Sequence, residues 1–412
     1  MVSLSVNAGD TAWVLLSAAL VMIMTPALGF FYGGMVRQKN VLSIIANCFI
    51  VLMLISVEWV LLGFTLAFGP DVGGLGFIGG LDWVGLRGVG LVPNPTYAAT
   101  IPFLAFMIFM CMFAIITPAL ISGAFAERVK ISAFIIFILL WSILVYAPVA
   151  HWVWGSGGWL RLLGVKDFAG GTVVHITAGA AALASVFVLR KRTGFGSLTM
   201  EPNNIPFVIL GATLLWFGWF GFNAGSALTA GVSATNAFVV TNTSAASAGL
   251  TWMLISWYFR GRPSVLGSLA GVVAGLVAIT PAAGFVSPLS AIAIGVGAGF
   301  FCYLAVSWRN KKQYDDSLDV WGVHGVGGTW GAIATGLFAE ADIGGTNGLF
   351  FGNAGQLGIQ LIGVAAVWGY AFIMSLIIFK VLDKTIGICV KPDEEKVGLD
   401  ISQHGEKAYA TS

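Results

Sequence analysis

Residues 167–179 read Asp167-Phe168-Ala169-Gly170-Gly171-Thr172-Val173-Val174-His175-Ile176-Thr177-Ala178-Gly179, and residues 319–328 read Asp319-Val320-Trp321-Gly322-Val323-His324-Gly325-Val326-Gly327-Gly328. Each stretch sets an aspartate ahead of a Val-His pair and a glycine four residues beyond the histidine. They open the fifth and tenth of eleven apolar runs. The first and sixth runs share a second pattern, Gly29-Phe30-Phe31 against Gly218-Trp219-Phe220. Two units of five spans follow from these matches, and an odd number of spans forces the units into opposite topologies. Inverted repeats of this kind characterise transport proteins, whose path runs at the repeat interface near the membrane midplane.

Composition supports a membrane reading. Of 412 residues, 9% are charged and 58% hydrophobic, where a soluble chain carries roughly 25% charged residues. One globular core cannot absorb that much apolar surface, so a soluble enzyme, a disordered chain and a nucleic-acid binder are all excluded. Runs of about 20 apolar residues cross a bilayer core. The eleven centre on 12–34, 41–68, 101–123, 131–151, 169–189, 205–226, 236–259, 264–280, 287–308, 320–339 and 356–382. No basic n-region precedes an A-x-A-like cleavage site, so the first is expected to stay as a span. The expected fold is an all-α integral membrane protein with eleven transmembrane helices: repeat one over about 12–190, repeat two over about 205–340, and helix eleven over about 356–382. The transmembrane domain would cover 1–390, and residues 391–412 would form a cytoplasmic regulatory tail.

Lysine and arginine collect on the cytoplasmic side of short loops. With the N-terminus outside and the C-terminus inside, the inner segments hold Arg37, Lys39, Arg128, Lys130, Arg190, Lys191, Arg192, Arg260, Arg262, Arg309, Lys311, Lys312, Lys380, Lys384, Lys391, Lys396 and Lys407. These are 17 of the 20 basic residues, leaving Arg87, Arg161 and Lys166 outside. The 55 glycines suit closely packed helices, as in the small-xxx-small steps Gly267, Gly271, Gly275 and Gly295, Gly299. Cys48, Cys111, Cys302 and Cys389 have no metal-like or paired spacing and read as packing residues.

Ionisable groups at membrane depth are costly and functional by default. His175 and His324 are read as the histidines inside spans. A continuous helix from Asp167 rises about 12 Å to His175, and the opposed tenth span can bring His324 to the same depth. In a dry site both would offer a donor and an acceptor but no fixed charge. Asp167 can cap its helix or attract cations; Glu58 reads as a buried, hydrogen-bonded structural acid. Asn242 begins a glycosylation sequon but falls inside span seven. Phe113 and Trp154 stand near outer ends, as interfacial anchors or as faces for a small cation.

In these motifs the chain resembles the Amt/Mep/Rh family of ammonium transporters, in its microbial Amt branch. The resemblance rests on Gly29-Phe30-Phe31-Tyr32-Gly33-Gly34, Ala126-Glu127-Arg128, the 167–175 string, Gly218-Trp219-Phe220-Gly221-Phe222-Asn223-Ala224-Gly225-Ser226, the 319–325 string, and Gly398-Leu399-Asp400 with His404-Gly405-Glu406 and Tyr409. It implies a homotrimer in the cell membrane with one path per subunit for ammonium or ammonia, and methylammonium. It implies an outer substrate-binding site of Phe113, Trp154 and Ser226, a gate of Phe113 and Phe222, and a pore lined by His175, His324, Trp219 and Thr280. Asp167 matches an acid near the entrance. Met110 departs from the pattern, since many bacterial members carry glutamine after the phenylalanine matching Phe109. The tail match implies a PII-type signalling protein at the cytoplasmic face. No catalytic residue, metal, cofactor or nucleic-acid partner is expected.

The mechanism expected is capture of NH4+, deprotonation, and passage of NH3 through the hydrophobic pore, with or without a separately moved proton. Two competitors stand beside it: a membrane redox protein in which the two histidines ligate haem, and an ammonium sensor of the same fold with little flux.

Overall fold

The computed structural model describes residues 5–409. Each apolar run contains a helix: α1 Ala8–Met35, α2 Gln38–Phe68, α3 Phe103–Ile121, α4 131–154, α5 Gly171–Val188, α6 Ile205–Gly225, α7 Val232–Arg260, α8 Val265–Ile279, α9 Pro288–Lys312, α10 321–338 and α11 Ala354–Thr385. Among the described residues nine helices are long and apolar enough to cross a membrane, α8 and α10 being the exceptions. At 1.5 Å per residue the 15-residue α8 spans only about 22 Å, and α10 is rich in glycine. The one sheet among the described residues is a two-stranded hairpin, Pro93–Asn94 with Ala98–Pro102, in the α2–α3 connection.

Side-chain caps set several helix starts. The oxygens of Asn7, Asn204, Ser264 and Asn353 accept from the amides of Asp10, Phe207, Gly267 and Gln356, which satisfies N–H groups that a helix start leaves unpaired. Pro26 and Pro118 lie inside α1 and α3, tolerable where neighbouring helices shield the freed carbonyl groups. Wide π-turns at Trp59–Gly63 and Ser142–Tyr146 interrupt α2 and α4. Beside them Ser142 Oγ donates to Glu58 Oε2 at 3.1 Å, inside protein.

Glycine decides which helices touch. A Cβ on Gly211 would lie 2.4 Å from the Phe31 amide, and one on Gly218 2.3 Å from Met24, so α6 lies backbone-close along α1. Gly275 of α8 and Gly295 of α9 face Ser244, while Gly271 and Gly299 face Ala248. Both stripes therefore close on the same length of α7. Removing any of these contacts would lose packing that lipid cannot replace.

The crossing of α5 and α10 positions the buried histidines. A Cβ on Gly179 would meet the Gly325 Cα at 2.2 Å, and one on Gly328 would meet the Gly171 carbonyl at 2.8 Å and His175 Cβ at 3.0 Å. The glycine four residues past each histidine is thus where the opposite helix crosses.

Three expectations change. First, α5 starts at Gly171, with Gly170 at φ +110°, so His175 lies in the opening π-turn and not two turns into a helix running from Asp167. Second, the acid of α10 that corresponds to Asp167 is Asp316. It stands eight residues before His324, as Asp167 stands eight before His175, and its oxygens accept from the Val320 and Trp321 amides at 3.2 and 2.7 Å. Asp319 is instead ion-paired to Arg309 at 2.7 Å, with a left-handed backbone at φ +62°. Third, α4 runs on to Trp154, so His151 is also buried inside a helix.

At the end holding most basic residues the chain closes on itself. Asp315 pairs with Arg128 and Arg192, and Glu127 with Arg37 and Arg192. Residues 388–409 lie over this end. Val390 N donates to the Arg128 carbonyl, Glu395 pairs with Arg190, and Asp400 accepts from the Leu42 and Ser43 amides at the start of α2. Asn203 Nδ2 donates to the Tyr409 hydroxyl at 3.0 Å. Residues 410–412 of the expected tail lie outside the described residues.

Candidate functional site

Two cavities stand one above the other. The outer, of about 250 Å3, is lined by Phe109, Met110 and Phe113 of α3, Trp154 at the end of α4, Arg161, Phe168, and Ser226 just after α6, among others. Phe113, Trp154 and Ser226 therefore face one cavity. Phe113 and Trp154 meet edge to face at 5.9 Å. Trp154 Nε1 donates to the Asp167 carbonyl at 3.0 Å, which takes up its N–H and leaves its π-face as what it offers a ligand. Ser226 Oγ donates its proton to the Phe222 carbonyl at 2.8 Å. Its remaining lone pairs can only accept, the role a cationic N–H donor requires. Ring faces with a hydroxyl acceptor match a small cation.

Phe113 and Phe222 divide the cavities, with centroids 4.2 Å apart. The inner cavity, about 10 Å3, is lined by His175, His324, Trp219 and Phe222 with apolar side chains including Leu28, Phe31, Ile116, Leu215 and Val273. That is near the smallest space that holds one water, and far too small for a haem between the histidines.

The imidazoles of His175 and His324 are 99% and 96% buried, with their Nδ1 atoms 3.3 Å apart. One Nδ1 must donate and the other accept. In the neutral pair the two Nε2 atoms are then one acceptor and one donor. His175 Nε2 has no protein partner, so the cavity is where its hydrogen bond would be made. Trp219 stacks on His175 at 5.4 Å. Thr280 does not line the cavity; its hydroxyl accepts the Trp219 indole N–H at 2.9 Å and donates to the Leu276 carbonyl, so it fixes the tryptophan that does.

Asp167 is not free to meet a ligand. Its Oδ1 accepts the Gly170 and Gly171 amides at 2.7 Å each, and its Oδ2 accepts the Thr172 and Val173 amides at 2.7 and 3.3 Å and the Thr172 hydroxyl. Five donors on two oxygens make it the anchor of the α5 start, a stronger form of the capping role open to it in sequence. Met110 sits in the outer wall where the resemblance puts a more polar residue.

Sequence reasoning missed the apolar liners, which carry no signal separating them from lipid-facing residues. It also missed Asp316, which the eight-residue spacing could have found, and the pair of His151 with Asp71 at 3.0 Å.

The chain matches the Ammonium Transporter Family over residues 12–409. It is 51% identical to the ammonium transporter Amt1 of Archaeoglobus fulgidus over 401 residues, covering 97% of this chain and 99% of that protein. The crystal structure of Saccharomyces cerevisiae Mep2 superposes with a TM-score of 0.89 at 35% identity, covering 94% of this chain and 88% of that one. A sensor Amt protein superposes with a TM-score of 0.89 at 31% identity, covering 96% and 98%. With its apolar helices, this likeness makes the chain a multi-pass membrane protein, and it belongs to the ammonium transporter family.

Proposed function

We propose that the protein captures ammonium in the outer cavity and passes it inward as ammonia along His175 and His324. The observation that carries this reading is the order of the parts: a cavity of ring faces and a hydroxyl acceptor, a phenylalanine stack, then a tight apolar cavity with two buried hydrogen-bonding rings. An intact cation in that inner cavity would meet a Born penalty of tens of kcal/mol. Neutral ammonia avoids most of it, while potassium cannot shed a charge. The proton leaves above the stack to water in the open outer cavity, giving NH3 and hydronium, and Asp167 positions the site without accepting it, since its oxygens are filled.

Eleven crossings with the N-terminus outside and the C-terminus inside fit this arrangement: α8 and α10 can cross within protein although they are shorter or less apolar than the rest. The resemblance favours a homotrimer in the cell membrane with one path per subunit, no cofactor and no enzymatic step. The docked tail, with Asp400 and Glu395 in its contacts, favours regulation by a PII-type protein at the cytoplasmic face. Deleting 391–412 should then change flux or its regulation; identical behaviour with and without a PII partner would count against that.

Methylammonium flux into proteoliposomes tests the main reading. His175→Leu with His324→Leu should abolish selective uptake, and unchanged selectivity in the double variant sinks the path. The second reading, a sensor with little flux, is favoured by the likeness to the sensor Amt protein. Saturable methylammonium binding without flux would establish it.

A further inference from the structure

Among the described residues the wall of the outer cavity carries a single charged side chain, and it is a cation. Arg161 belongs to the short helix Trp159–Leu163 that follows α4, and it faces the same space as Phe113, Trp154 and Ser226. Its Nη1 donates to the Trp154 carbonyl at 2.6 Å, and the side chain is exposed. Asp167 is filled by helix amides, Asp71 Oδ1 faces His151, and Asp10 Oδ1 accepts from Ala230 N at 2.8 Å; none of the three is ion-paired to Arg161. A pocket read as taking a cation therefore offers ring faces and a hydroxyl, with a guanidinium beside them and no ion pair on that guanidinium among the described residues.

We propose that Arg161 sets the affinity of the outer site, its charge opposing capture of the cation while its hydrogen bond holds the end of α4 that carries Trp154. This rests on the cation-capture reading of the outer cavity. Two unit charges several ångströms apart at a wet mouth weaken capture about 2- to 5-fold at low ionic strength. An exposed charge is screened within about 10 Å at 0.1 M salt and about 3 Å at 1 M. Capture by the unaltered protein should therefore tighten as inert salt rises, the opposite sign from a mouth that recruits cations with carboxylates. The two roles separate by substitution: Arg161→Lys keeps the charge, and Arg161→Gln removes it but keeps an amide donor.

The test is labelled-methylammonium uptake in proteoliposomes at roughly 20 mM and roughly 0.5 M N-methylglucamine chloride, a cation too bulky for the pocket. Expected is a KM for Arg161→Gln about 2- to 5-fold below the parent at low ionic strength, convergence at high ionic strength, unchanged kcat, and parent-like values for Arg161→Lys. Equal KM at low ionic strength, or a higher KM in Arg161→Gln, overturns the inference. A parent protein without saturable uptake instead overturns the transport reading. Methylammonium quenching of tryptophan fluorescence in the same proteins then decides the inference: tighter binding by Arg161→Gln upholds it, equal binding overturns it.

Discussion

The start of α5 and the start of α10 are built alike and wired differently. Each has an aspartate eight residues ahead of a buried histidine, accepting amides four and five residues on. Asp167 completes its set locally, with all five donors between Gly170 and Val173. Asp316 accepts two amides and stands between Arg309 and Asp319, next to Asp315 with its two arginines. The outer cap is thus self-contained beside the outer cavity, and the inner cap is tied to an ionic network that the tail also joins. A change at the outer cap should act on the site and on the stability of α5 and leave the tail untouched. A change at the inner one should be felt by pH and by the tail.

The largest effect expected is at the outer cap. Asp167→Ala orphans four amides and a hydroxyl in protein, and each unsatisfied buried group costs about 1–3 kcal/mol. Thermal unfolding followed by tryptophan fluorescence should show a loss of several kcal/mol by that count, with flux abolished. Asp167→Asn keeps one acceptor oxygen and should retain part of both. If Asp167→Asn were as damaging as Asp167→Ala, the acid's charge, and not its cap, would be what matters.

Next come the crossing glycines. Gly179→Ala sets a methyl 2.2 Å from the Gly325 Cα, backbone against backbone, whereas Gly328→Ala meets the Gly171 carbonyl at 2.8 Å. Overpacking costs about 1–3 kcal/mol, and the tighter site should sit at the upper end. Gly179→Ala should lower flux more than Gly328→Ala because it pushes the two histidine helices apart. The reverse order would mean that the crossing does not set the imidazole spacing.

The inner cap should respond to pH. Burial pushes Asp316 up to about 6, with Asp319 adding to the rise and Arg309 and two backbone amides opposing it. A raised carboxyl contributes stability that is full below its unfolded value near 4 and is lost as pH rises through about 6. Across pH 4 to 7 the parent should lose up to about 3 kcal/mol relative to Asp316→Asn, a shift of about two units at 1.36 kcal/mol each. Asp315 works with the opposite sign: burial raises it, but Arg128 and Arg192 hold it below the usual carboxylate range. Its contribution is common to both proteins and cancels in the difference. Parallel pH profiles of unfolding for parent and variant would break the distinction drawn between the two caps.

Much of this was legible in the chain, unevenly. Runs of apolar residues gave the helices because lipid leaves the backbone few alternatives, and the histidine pair stood out because polar groups at that depth are rare. The two Val-His strings were matched in the wrong register for their acids. Matching Val-His strings drew attention to Asp319, while the cap requires an acid eight residues before the histidine, which is Asp316. The grouping of Phe113, Trp154 and Ser226 came from family resemblance alone, because three residues on three segments have no spacing to read. Leu28, Phe31 and Ile116 were invisible, being chemically the same as residues that face lipid. Arg37, Arg128 and Arg192 were read only as marks of the cytoplasmic side, and nothing local announces that Glu127, Asp315 and Glu395 come from elsewhere to meet them.

The smallest effect expected lies farthest from either cap, in the tail. Asp400 Oδ1 and Oδ2 accept the Ser43 and Leu42 amides at 2.8 and 3.1 Å, so a residue of the tail caps the regular part of α2, which begins at Val41. Burial raises its carboxyl, with those two amides and His404 opposing the rise. A capping side chain is worth about 1 kcal/mol, and Lys39 Nζ to the Glu395 and Lys396 carbonyls and Leu399 N to Asn40 Oδ1 remain to hold the segment. Asp400→Ala should therefore lower global stability by no more than about 1 kcal/mol while exposing residues 398–409 to limited proteolysis from the face that the tail covers. Because the outer cap is self-contained, methylammonium KM should not move. A changed KM in Asp400→Ala would mean that the tail reaches the outer pocket, and the separation between the two ends of the path would have to be given up.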